Sequence, residues 1–253
     1  MKSPLKKNWV RWCGGALAGL SLAALPARAF VLVPITMDFD PAGKGANRAF
    51  RVENDSDASV AVQISMLTRR VDLHGKETNA PAEQDFVVYP PQIALGPKQS
   101  QTIRVGYVGP AALAAEQTYR ILAEQLPVAL SKQQPTGARV NLMIRYLGSV
   151  YVVPKGAQPE VVLESVTAEK DAAGKKTLAV RLHNRGNAHT LLDQAKLHLT
   201  VNGKSPVVLQ GEALKGLIGE NILGGNQRRF VVPWPEGLAD GPLQAKFEYS
   251  PQR

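Results

Sequence analysis

From residue 30 onward the chain keeps one rhythm. Short runs rich in Val, Ile, Leu, Phe and Tyr are separated by Gly, Pro, Asn and Asp. Within the runs, apolar side chains recur at every second position. In SVAVQISML (59–67), Val60, Val62, Ile64 and Met66 share one face. In QTIRVGYV (101–108), Ile103, Val105 and Tyr107 do the same. Successive strand side chains point to opposite faces, so this period buries one side of a strand. A helix has no use for it. Only PAALAAEQ (110–117) suits a helix, of two turns at most. Runs at this spacing, bounded by turn residues, predict all-β sandwich architecture.

The rhythm breaks once. PKGAQPE (154–160) reads as a Pro/Gly linker, after which the pattern restarts with VVLESVTAEK, the turn DAAGKK and TLAVRLHNRGNAHT. VNGK (201–204) sets Asn-Gly between two apolar runs, a hairpin signal. The expected organisation is therefore one sandwich over 30–153, a linker over 154–160 and a second sandwich over 161–253.

Residues 1–29 read as a secretory signal. Lys2, Lys6, Lys7 and Arg11 precede the apolar run CGGALAGLSLAALP, and Ala27-Arg28-Ala29 offers a small-x-small cleavage site before Phe30. That run is too short to span a bilayer, and no later segment has about 18 unbroken apolar residues, so no membrane insertion of the mature chain is expected. Removing the signal takes five cations and no anions, and the formal net charge falls from +9 to +4. What remains has no dense Lys/Arg stripe of the kind nucleic-acid binding needs. The single cysteine, Cys13, leaves with the signal. The mature chain must then be stabilised by its cores without disulfides.

No enzyme constellation emerges. There is no Gly-x-Ser-x-Gly, no His-Glu-x-x-His and no phosphate loop. His183 and His189 flank the turn NRGNA, with Asp193 the only carboxylate near them in sequence, and they read as turn histidines. Asp38 and Asp40 beside a Pro-Ala-Gly turn read as an exposed turn. No cofactor or metal is implied.

One stretch stands apart. ARVNLMIRYLGSVYVVP (138–154) reads as strand for about three times the usual ~5–6 residues. Gly148 and Ser149 interrupt it, and a strand glycine often marks a bulge or bend. The stretch reads as two segments with different jobs.

Taken with its neighbours, this stretch resembles the periplasmic pilus-assembly chaperones of the chaperone–usher pathway, on a divergent branch. YPPQIALGPKQSQTIRVGY (89–107) is similar to the family's Pro-Pro, Leu-x-Pro, Gln-x-x-Arg segment. EQTYRILAEQLP (116–127) and VNLMIRYLGSVYVVP look like its next two strands, and RVEN (51–54) and LAVRLHN (178–184) look like its strand-to-Asn elements. The resemblance implies two immunoglobulin-like domains set at an angle. It implies a non-enzymatic, periplasmic protein whose partners are pilin subunits and an outer-membrane usher. Such a chaperone lends a strand to an unfinished pilin, whose unpaired edges would otherwise aggregate. When free, its own edge could be capped by self-association.

Matched to that family, Val140, Leu142 and Ile144 fall where the alternating donor residues lie. Two basic residues hold the pilin's C-terminal carboxylate in the best-known members. Their positions here are Thr36 and Ser149, and neither is basic. Arg145, Arg120 and Arg104 are the candidate replacements, because a guanidinium grips a carboxylate bidentately. Glu116 matches an acidic member of the interdomain network, but its partner position is Val153. The rival reading is an exported structural or adhesive protein such as a pilus subunit. Paired cysteines would suit that reading, and the mature chain has none.

Overall fold

A computed structural model describes residues 30–127, 143–203 and 205–251. The expected signal (1–29), Val140 and Leu142 lie outside them. The first sandwich comprises β1 (Phe30–Val33), β2 (Thr36–Phe39), β3 (Asn47–Asn54), β4 (Val60–Thr68), β5 (Arg70–Val71) and β6 (Glu77–Thr78). It continues through β7 (Phe86–Tyr89), β8 (Gln92–Leu95), β9 (Ser100–Tyr107), β10 (Gln117–Gln125) and β11 (Arg145–Val152). One sheet has the order β1-β3-β9-β7 and the other β2-β11-β10-β4-β8. The alternating residues that define the sequence pattern meet between them. Phe30, Phe50, Val62, Ile103, Ile121 and Val150 are fully or almost fully buried in one core.

The second unit comprises β12 (Val161–Lys170), β13 (Lys176–Asn184), β14 (Thr190–Leu191), β15 (Lys196–Val201) and β16 (Val207–Gln210). It ends with β17 (Asn221–Ile222), β18 (Gln227–Pro233) and β19 (Leu243–Glu248). Its sheets run β12-β13-β18 and β16-β15-β19, with the short pair β14-β17. Leu178, Val180, Leu182, Leu197, Leu199 and Phe230 form its separate core. Asn202 and Gly203 both take positive φ between β15 and β16, as an Asn-Gly turn requires.

Each unit is pinned by one buried asparagine at a strand end. Asn54 donates to the carbonyls of Ala58 and Gly96 at 2.8 Å, while its Oδ1 accepts from Ser56. Asn184 donates to the carbonyls of Ala188 and Ile222, and its Oδ1 accepts from Glu160 and Gly186. Satisfying donors and acceptor together is what lets these amides sit without water.

The expected helix at 110–117 does not form. Two turns nucleate poorly on their own, and tertiary contacts claim this backbone. Leu113 packs on the first core, Asn187 Nδ2 donates to the Ala114 carbonyl, and the Glu116 amide donates to the Asn187 carbonyl. Among the described residues the helical pieces are short 3₁₀ turns at Lys44–Ala46 and Gly211–Leu214. Among the described residues no helix is long and apolar enough to cross a membrane.

Candidate functional site

The first strand changes sheets. β1 pairs with β3, the chain crosses at Pro34, and β2 then pairs in parallel with β11 in the opposite sheet. Pairing with β11 begins at Ser149, whose amide donates to the Ile35 carbonyl at 2.7 Å. It runs Ser149↔Thr36, Val150↔Met37, Tyr151↔Asp38 and Val152↔Phe39. On its other side β11 pairs with β10 without interruption from Arg145 to Val152. Among the described residues, then, 145–148 have a strand partner on one side only.

The open groups can be named. Gln125 donates to the Ile144 carbonyl, so even-numbered residues of this strand direct their backbone bonds toward β10. Odd-numbered residues direct theirs the other way, as Ser149 does toward Ile35. The N–H and C=O of Arg145 and Leu147 therefore face an edge with no partner among the described residues, a template for another strand. Exposed apolar side chains flank it. Met143 and Leu147 are about half exposed, as are Ile35 and, less so, Val33.

Gly148 makes no bulge, contrary to the sequence reading, since its register with Ile121 is regular. Its role is close approach. A Cβ there would lie 2.7 Å from Ile121 Cγ2 and 2.9 Å from the Ile35 carbonyl oxygen. The glycine lets the crossing chain sit against β11 and start the β2 pairing.

At the junction of open and paired edge lies a charged cluster. Arg120, on β10, stands directly opposite Ser149. Its Nη1 donates to Ser149 Oγ at 2.6 Å. Its Nε and Nη2 grip Glu77 at 2.8 and 2.6 Å. Arg69 donates from Nε to the same carboxylate at 3.0 Å and from Nη1 to the Tyr151 hydroxyl at 3.0 Å. Partial burial works against the Glu77 charge. Hydrogen bonds from Arg120 and Asn79 and the two guanidinium charges outweigh it, and hold its pKa near 2 against an ordinary 4.5.

The cluster continues into the second unit. Tyr151 also accepts from Asn221 Nδ2 at 2.8 Å, and its ring stacks on His189 with centroids 3.6 Å apart. His189 Nδ1 lies 2.8 Å from both Glu116 oxygens, in a pair that is almost fully buried. The β5–β6 hairpin carrying Glu77 is docked too. Its Val71 and Leu73 carbonyls accept from Asn226 Nδ2 and the Arg229 amide.

Residues 40–158 match the N-terminal domain model of the pili and flagellar-assembly chaperones, the PapD N-terminal domain. The match falls on the first sandwich and the segment that follows it. Several solved structures are similar over most of their length. A chain of the CsuC–CsuE chaperone–tip adhesion subunit pre-assembly complex from Acinetobacter baumannii archaic Csu pili is 16% identical with a TM-score of 0.57. The match covers 87% of this chain and 97% of that one. The E. coli chaperone DraB is 21% identical at a TM-score of 0.51, covering 83% here and 86% there. A chain of the Salmonella enterica SafA pilin–SafB chaperone complex is 16% identical at 0.51, with the same coverage. At such identities the likeness is one of fold, two immunoglobulin-like domains. Comparison with curated protein sequences gives no match.

Within this unit the residues singled out from sequence fall in different places. Thr36 and Ser149 are in-register neighbours, so the two expected anchor positions do meet. Arg120 reaches that point from the next strand. Arg145 shares the outward face of β11 with Ser149 but lies at its far end, paired with Glu124 at 3.0 Å. Arg104 stands exposed on β9, in the opposite sheet. Ile144 is half-buried and packs against its own domain's core. Glu116 pairs with His189 of the second unit, and His183 lies 3.2 Å from Glu164. Sequence reasoning missed Arg69, Glu77, Tyr151 and Asn221. Arg69 is the link between β4 and β5 and Glu77 belongs to the two-residue β6, so no alternation marks either.

Proposed function

We propose that this protein is a periplasmic chaperone that completes exported pilin subunits with a lent strand and delivers them to an outer-membrane usher. The family and fold are those of non-enzymatic assembly proteins, and solved relatives of similar fold are complexed with a pilin or tip subunit. The observation that carries the reading is the open edge of β11 at 145–148, which ends beside Arg120. A client strand adding there gains main-chain hydrogen bonds, and alternate side chains fill the client's groove.

The donated row is Val140, Leu142 and Ile144. Ile144 sits at its own core, so an unfinished client sandwich stacked against this end would extend that apolar row. Each side chain so buried contributes roughly 1.5–3 kcal/mol. The client's C-terminal carboxylate is anchored by Arg120, at the point where Thr36 and Ser149 meet. The 154–160 segment joins the client-binding domain to the second domain. When no client is present, the same open edge suits pairing with a second copy.

The test is co-expression in the periplasm with candidate pilin subunits, with exchange for the usher-bound state scored separately. One-to-one co-purification is expected. Val140→Asp with Leu142→Asp should cut capture at least about a hundredfold while melting stays cooperative. Unchanged capture by a folded double variant would sink the strand-loan reading.

A further inference from the structure

Arg120 is not alone at the anchor. Two guanidiniums, those of Arg69 and Arg120, share the single carboxylate of Glu77, and their side chains are only 10% and 17% exposed. Two guanidiniums thus face the one carboxylate they share. Arg120 also retains donors. A guanidinium has five N–H groups. Glu77 takes the one on Nε and one on Nη2, and Ser149 takes one on Nη1. One N–H on each of Nη1 and Nη2 remains, a fork suited to one more carboxylate.

Glu77 fixes the direction of that fork. It holds Arg120 side-on by two bonds, which removes most of the freedom of a long side chain. Its own place is set from outside the sheet. The β5–β6 hairpin turns at Asp72, whose Oδ1 accepts the amides of His74 and Lys76. The same hairpin is docked on the second unit through Val71 and Leu73. Arg69 is steadied likewise, by a Tyr151 hydroxyl that Asn221 also reaches.

We infer that Glu77 is a positioning residue which, held by the second domain's contact with its hairpin, turns Arg69 and Arg120 into a receptor for a single client carboxylate. The inference rests on the anchor reading above and deepens it. A bare Coulomb account predicts the opposite sign, because removing Glu77 takes a negative charge from beside the two guanidiniums.

Two synthetic peptides of one alternating valine–serine sequence serve as probes, one ending in a free carboxylate and the other amidated. The ratio of their affinities for the full chain measures carboxylate recognition apart from strand pairing. The wild type should prefer the free carboxylate by about tenfold or more, the scale of one charge-assisted contact. Arg120→Gln should erase the preference. Glu77→Gln should reduce it several-fold, and so should Glu77→Asp, which keeps the charge but shortens the reach. Thermal melting of each variant checks that it is folded. An unchanged or stronger preference in the Glu77 variants, with Arg120→Gln still erasing it, overturns the positioning role and leaves the anchor standing. Preference surviving in Arg120→Gln, or absent in the wild type, overturns both.

Discussion

The two halves of β11 share β10 on one side and differ on the other. From Ser149 to Val152 the strand is sealed by β2, and Val150, Tyr151 and Val152 are almost wholly buried. From Arg145 to Gly148 it has no described partner on that side, and Leu147 is 47% exposed. Both halves of this strand carry large apolar or aromatic side chains, Tyr146 and Leu147 in the one and Val150 to Val152 in the other. The difference comes from elsewhere in the chain, where the first strand crosses between sheets at Pro34 and reaches β11 only at Ser149. An edge strand can thus be left open by the length of its neighbour and not by its own composition.

The strongest way to break this comparison is to place a charge in each half. Val150→Asp puts a carboxylate into a fully buried position with no cation at hand, and should cost more than about 4 kcal/mol, enough to lose the folded domain. Leu147→Asp, on the open half, should change stability by less than about 0.5 kcal/mol. Chemical denaturation of both variants checks this. Similar losses at the two positions would mean that the open half is buried in the free protein.

A smaller effect sharpens the boundary between the halves. Glu77 has its pKa lowered to about 2 from 4.5 by its arginine partners, so it contributes stability above pH 4.5 that is lost as pH falls through about 2. Because the cluster is partly solvated, that contribution is about 1 kcal/mol. Wild type and Glu77→Gln should differ in melting temperature near neutrality and converge by about pH 2. A constant gap across that range would remove the carboxylate from the account.

The architecture was legible because alternation is a local signal. Val60, Val62, Ile64 and Met66 had to share a buried face, and they do. The helix at 110–117 was misread because composition favoured it, while contacts with Asn187, far along the chain, decide its backbone. Gly148 was legible as special, but not as a close-approach residue, because Ile35 and Ile121 are distant in sequence. The site was legible only in part for the same reason. Matching put the two expected anchor positions at Thr36 and Ser149, which pair in the structure, and named Arg120 among three candidate replacements. Glu77 and Arg69 carry no pattern; the docked hairpin brings Glu77 to Arg120, and the end of β4 sets Arg69 beside β10. Glu116 was singled out by position, whereas its partner His189 sits on a turn that reveals nothing of the opposite domain.

The central claim is that the edge of β11 at Arg145 and Leu147 is where a client strand adds. Residue-resolved amide hydrogen exchange, with and without a co-purified pilin subunit, tests it most directly. Leu147 N–H should exchange freely in the unliganded chain and become protected in the complex, whereas Ser149 N–H, already bonded to Ile35, should be protected in both. Equal exchange at Leu147 in the two states would contradict the account.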